Sequence, residues 1–141
     1  MMPEHANHFG NVHGGVLMKL VDETAAIVAM RHAQRPAVTV AMDSMTFRQP
    51  VHVGDLVTCT ARVTYVHKSS MEVEVQVVAE NPITGVTTHT NSAYLVFVAL
   101  GEDGRSSPVP PLEIDSPAEM LAFENGKKRQ ALRLDREKLS R

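Results

Sequence analysis

The chain has 141 residues, 43% of them hydrophobic, and 16 acids against 14 Lys and Arg for a formal net charge of −2; that size and composition suit one domain around one core. No run of about 18 apolar residues occurs, and no basic stretch leads into an apolar one at the N-terminus, so a cytoplasmic protein with neither membrane span nor signal peptide is expected. A single cysteine, Cys59, excludes an internal disulfide or a cysteine-based zinc cluster, and 4% aromatic content without Trp argues against a nucleic-acid stacking platform.

In chain order, the first signal is Gly10-Asn11-Val12-His13-Gly14-Gly15, a glycine-rich turn running into an apolar helix from Gly15 to about Ala33. Such a turn leaves the first helical N–H groups free, and the helix dipole favours negative charge there. The helix is apolar almost all round, which predicts burial on most sides. Its one misplaced acid is Asp22, two turns beyond Gly15 and on the same face as Gly15, Met18, Ala25, Ala26 and Ala29.

Arg35-Pro36 stops the helix, and four strands follow: 37–47, 56–67, 71–79 with clean alternation from Met71 to Val77, and 86–100. Val53-Gly54-Asp55 and Asn81-Pro82-Ile83-Thr84-Gly85 supply turns. One helix and then four strands joined by short turns predict α+β, an antiparallel sheet wrapped on one long helix. Residues 101–111 read as an extended proline-rich loop, and Ser116-Pro117 opens a C-terminal helix. The expectation is one domain over 1–141, with a core over about 1–111 and a helical extension over about 116–138.

Residues 126–141 hold seven of the 14 Lys and Arg but only Asp135 and Glu137 as acids, which leaves the first 125 residues clearly acidic. A cluster like this is a solvated helix face or a phosphate contact.

These residues resemble the acyl-CoA thioesterases of the hotdog fold, in particular the cytosolic acyl-CoA hydrolase subgroup. The resemblance rests on Pro3-Glu4-His5-Ala6-Asn7, the Gly10–Gly15 stretch, Met18-Lys19-Leu20-Val21-Asp22-Glu23, Arg31-His32, Asp43-Ser44-Met45-Thr46-Phe47 and 68–75. It implies a homodimer as the minimal unit, with two chains forming a double hotdog, and a homohexamer as a trimer of such dimers. It also implies an active site at the dimer interface, where Asn7 of one copy works with Asp22 of the other. A strand ahead of Pro3 is implied too, for which Met1 and Met2 leave no room; the expectation is a truncated first strand or a misassigned start, and an unpaired sheet edge.

For fatty acyl-CoA hydrolysis to free fatty acid and CoA, backbone N–H groups from His13, Gly14 and Gly15 would receive the developing oxyanion. Asp22 would deprotonate a water or attack the carbonyl carbon directly, and Asn7 would orient water or substrate through its amide. The resemblance places CoA against the turn Lys68-Ser69-Ser70, with Lys127, Lys128 and Arg129 as further phosphate contacts resting on charge. No cofactor is expected, because CoA is part of substrate and product.

Blander readings stand beside these. Asp22 could pair with Lys19, Asn7 could serve only its own loop, His13 reads as a loop histidine, and Lys68 to Ser70 could be an ordinary polar turn. His5, His8 and His13 lack the helical spacing of zinc hydrolases, so no metal is expected. Glu23 faces away from Asp22 and reads as a surface or interface ion pair. The competing functions are a hotdog enoyl-CoA hydratase or dehydratase, and a non-catalytic acyl-CoA-binding sensor.

Overall fold

The computed structural model describes residues 1–139, with only the backbone of Ser44, so the last two residues of the expected domain lie outside the described residues. A helix α1 (Gly14–Ala33) precedes strands β1 (Ala37–Phe47), β2 (Leu56–His67), β3 (Ser70–Glu80) and β4 (Thr87–Ala99), and α2 (Pro117–Leu139) closes the chain. All strands pair antiparallel in the order β1-β4-β3-β2. Among the described residues no strand precedes α1; Pro3–His5 forms a single 3-10 turn instead. β1 and β2 therefore each have a neighbour on one side only.

Packing of α1 on the sheet follows from its small residues. Leu17, Val21, Ala25, Ala29 and Ala33 repeat every four residues and are the buried ones, so they form one stripe on the helix. Opposite them lie Met71, Val73, Val75 and Val77 of β3 and Ala93, Leu95 and Phe97 of β4, all in one cluster. Alanines in the stripe let the helix lie close to the strands. The expected burial of α1 on most sides is corrected: Met18, Ile27 and Met30 are 43%, 50% and 40% exposed. A single sheet covers one face of a helix, and the other apolar face is open in one chain. Gln34, in the left-handed region at φ 55, ends α1 by donating its N–H to Met30 O.

The outer sheet face carries α2. Ser116 Oγ caps its start by accepting from Glu119 N at 3.1 Å, and the Glu119 carboxylate accepts from Asp115 N. Gly126 brings the helix down onto the sheet: a methyl there would stand 2.7 Å from Tyr65 Cβ and 3.0 Å from Glu72 Oε1. Phe123 meets the Tyr65 ring edge-on. Below them Glu72, only 2% exposed, accepts from Arg129 Nε at 2.9 Å, Arg129 Nη2 at 2.7 Å and Thr64 Oγ1 at 2.6 Å. Arg133 bridges Glu72 to Asp43 of β1.

Burial alone would raise the Glu72 pKa, but the hydrogen bonds from Arg129, Thr64 and Arg133 outweigh it and hold the carboxyl below its ordinary value. A depressed carboxylate contributes stability above its unfolded pKa of about 4.3 and loses that contribution as pH falls through the lower folded value. Glu72→Gln leaves the Arg129 guanidinium without its carboxylate and Arg133 with Asp43 alone, and should cost roughly 3 kcal/mol at neutral pH. In urea unfolding, the gap between this variant and the wild type should narrow as pH drops below about 4; a gap independent of pH would contradict the ion-pair account.

Candidate active site

Among the described residues, the start of α1 leaves backbone N–H groups unpaired at the positive end of the helix. Gly10 turns the chain at φ 81, and His13 stands at the N-cap without a side-chain cap bond, with no acid in the first turn. The positive end of the helix dipole is thus left without local compensation. Of the three expected oxyanion donors, His13 is corrected: its N–H is already given to His5 O at 2.8 Å. Gly14 and Gly15 remain, with no partner for either N–H among the described residues. Space beside Gly15 is open, whereas Gly14 lies against the Phe47 ring.

Asp22 is half-buried where α1 passes β1. Thr39 Oγ1 donates to its Oδ1 at 2.6 Å, a bond to an ionised acceptor of the stronger kind. Thr39 is opposite Phe97, a core residue, which turns its side chain toward α1, and the β1 to β4 register slips by one residue immediately afterwards. Bulges of this sort re-aim side chains at sheet edges. Sequence reading missed Thr39; a lone polar residue among the apolar residues of 37–42 was the available signal. Of the alanines on the Asp22 side of the helix, Ala25 and Ala29 turn under the sheet, and Thr39 stands exposed at its edge. Lys19 pairs with Glu23 at 3.9 Å, both exposed, and so is not the partner of Asp22.

Asn7 sits in the loop before α1. Its Oδ1 accepts from Phe9 N at 2.9 Å and Asn11 N at 3.2 Å, which fixes the amide plane and leaves Nδ2 without a partner among the described residues. Asn7 and Gly14 line one cleft of about 340 Å³ with Leu17, Phe47 and Val51. Asp22 is not part of that cleft. Asp22 lies seven residues beyond Gly15 along the helix, about 10 Å at roughly 1.5 Å per residue, so one chain does not bring the donors and the acid together.

The β2 to β3 turn holds Lys68 in the left-handed region at φ 53, while its carbonyl accepts from Val109 N at 2.9 Å. Ser69 O accepts from Ala99 N, and Ser70 Oγ donates to His67 O. Lys127 and Lys128 are exposed on α2. Arg129 departs from them: it turns inward to Glu72, with its guanidinium 3.7 Å above the Tyr94 ring. Its charge is neutralised by Glu72 rather than presented to a nucleotide. Burial pushes the Cys59 thiol up, against a hydrogen bond with Thr24, which disfavours a thiolate nucleophile. Among the described residues no group of three His, Cys, Asp or Glu could hold a metal ion, and no helix is long and apolar enough to cross a membrane.

Comparison with known proteins bears on this geometry. The model of the thioesterase superfamily matches residues 9–99. The chain is 36% identical over 133 residues to Protein VdlD of Helicobacter pylori, covering 94% of this chain and 76% of that one. It is 39% identical to the cytosolic acyl coenzyme A thioester hydrolase of Homo sapiens, covering 90% of this chain but 34% of the human protein. Among solved structures, an apo-hexameric acyl-CoA thioesterase superposes with a TM-score of 0.93 at 36% identity, covering 97% of this chain and 88% of that one. An acyl-CoA hydrolase from Staphylococcus aureus, in complex with butyryl coenzyme A, coenzyme A and coenzyme A disulfide, superposes at 0.91 with 34% identity, covering 99% and 85%. The sheet packed on one long helix is the hotdog fold of these neighbours. The chain belongs to the thioesterase superfamily.

Proposed function

We propose that this protein hydrolyses acyl-CoA thioesters to the free acid and CoA, at a site that two copies of the chain build together. The observation that carries this reading is the pairing of unpartnered N–H groups at Gly14 and Gly15 with a threonine-bound carboxylate, Asp22, too far along the same helix to act with them. A carbonyl held at Gly14 and Gly15 of one copy would meet Asp22 of the other. The open β1 edge and the open face of α1, at Met18, Ile27 and Met30, supply surface for that second copy. Hexameric acyl-CoA thioesterases among the neighbours support a homohexamer assembled from such dimers.

The chemistry needs little beyond these groups. The thioester oxygen accepts from Gly14 and Gly15 N–H as it gains charge. Asp22, oriented by Thr39, either takes a proton from the attacking water or attacks the carbonyl carbon itself to give an anhydride that water then opens. The C–S bond breaks and CoA leaves as its thiol, so acid and thiol together account for the added water. Asn7, its oxygen committed to the loop, acts as a donor through Nδ2 toward water or substrate. A thioester is reactive enough to be cleaved by these groups without a cofactor. Solved structures of the S. aureus enzyme include alanine mutants of an asparagine, an aspartate and a threonine at successive spacings of 15 and 17 residues, the spacings of Asn7, Asp22 and Thr39 here.

CoA is held at the Lys68-Ser69-Ser70 turn, with Lys127 and Lys128 as further phosphate contacts. A lysine kept at positive φ, where glycine is the unstrained choice, favours a role for its side chain.

In a thiol-capture assay with butyryl-CoA, Asp22→Asn should lose about 10²-fold or more in kcat, and unchanged turnover would sink the assignment. Thr39→Val should lower kcat with little change in KM, and Thr39→Ser should restore it; loss confined to KM would make Thr39 a binding residue only. Lys68→Gly, which relieves the backbone while deleting the charge, should raise KM at constant kcat without lowering thermal stability. An unchanged KM would remove Lys68 from the CoA site.

A further inference from the structure

The cleft that holds Asn7 and Gly14 has an apolar wall, and two of its features bear on which acyl groups it accepts. Phe47, 49% exposed, lays its ring on Gly14, so that a methyl at Gly14 would stand 3.4 Å from its Cζ. A carbonyl bound at the Gly14 and Gly15 N–H groups would therefore send its chain against this ring within its first few carbons. Phe47 is the β1 residue directly opposite Asn91 of β4, and opposite residues of an antiparallel pair share a face, with Cβ atoms about 5 Å apart. On its other side Asn91 is opposite Val77, a core residue beneath α1. Both side chains thus look toward the first turns of α1.

Asn91 is fully buried. Its Oδ1 accepts from Thr90 Oγ1 at 2.9 Å, but its Nδ2 has no hydrogen-bond partner. A buried amide donor left unpaired is rare in a folded core, and packing methylenes against it gives it nothing to bind. Asn91 does not itself line the cleft, but a chain that pushed past Phe47 on this face of the sheet would meet a donor it cannot satisfy.

Resting on the thioesterase reading above, we infer that Phe47, backed by the buried amide of Asn91, is the specificity-determining wall of the acyl pocket and selects short acyl-CoA thioesters. Thiol release should be measured with acetyl-, butyryl-, octanoyl- and palmitoyl-CoA for the wild type, Phe47→Ala and Asn91→Leu. The wild type should favour butyryl- over octanoyl- and palmitoyl-CoA in kcat/KM. Phe47→Ala should raise the octanoyl-to-butyryl ratio by about tenfold or more, and Asn91→Leu in the Phe47→Ala background should extend turnover to palmitoyl-CoA. If Phe47→Ala does not fold, Phe47→Leu should give a smaller shift in the same direction. Asn91→Leu alone should not lower the melting temperature, since an apolar residue of like size replaces an unpaired donor. An unchanged chain-length profile in the Phe47 variants, or a wild type indifferent to chain length, overturns this inference while leaving thioester hydrolysis intact. A wild type that cleaves no acyl-CoA overturns the hydrolase reading itself, and the selectivity with it.

Discussion

Asp22 stands seven residues along α1 from Gly15, and a helix buried along one stripe against a four-stranded sheet does not bend to bring them together. That fixed separation shapes everything proposed for the site. In the proposed site the uncapped N-terminus would supply donors for an oxyanion and the middle of the helix a carboxylate, and the rigid rod between them keeps the two apart in any single copy. In the proposed dimer, two antiparallel copies would remove this obstacle by laying the start of one helix beside the middle of the other. The apolar side chains of α1 that the sheet leaves uncovered are where such a neighbour would gain hydrophobic stabilisation.

The opposite sheet face solves a different problem. Glu72, Glu74, Tyr94 and Arg62 make that face polar, and a helix docks there only if the charges beneath it are matched. Arg129 and Arg133 provide the match, and Gly126 allows the close approach they require. Replacing such a network by apolar residues can be neutral for stability, so its value here lies in fixing where α2 sits across β1 to β3. With α2 pinned by Arg133 to Asp43, the exposed lysines one and two positions before Arg129 have a defined place on the outer surface.

Most of the scaffold was legible in the residues. Alternation from Met71 to Val77 marked β3, Arg35-Pro36 marked the end of α1, and Asn81 to Gly85 marked the hairpin, because each is a local rule of backbone or period. The site was legible only in part. Asp22 stood out as an acid on an apolar helix, but Thr39 acquires meaning only from the register that sets it opposite Phe97, a long-range fact. The His13 N–H looked available until the loop folded back to His5 O. Arg129 counted as one of three basic neighbours until Gly126 fixed the rotation of α2 and turned it inward. Apolarity all round α1 predicted burial on most sides, whereas one chain has only one sheet to offer.

The shared site is tested most directly by mixing two defective copies. Asp22→Asn and Asn7→Ala chains, unfolded and refolded together or coexpressed, form mixed dimers in which one site has both native residues and the other has neither. Random pairing then leaves about a quarter of all sites intact, so thiol release from butyryl-CoA should recover to about that share of wild-type activity although each variant alone is inactive. A mixture no more active than its two components would place Asn7 and Asp22 within a single chain and contradict the account.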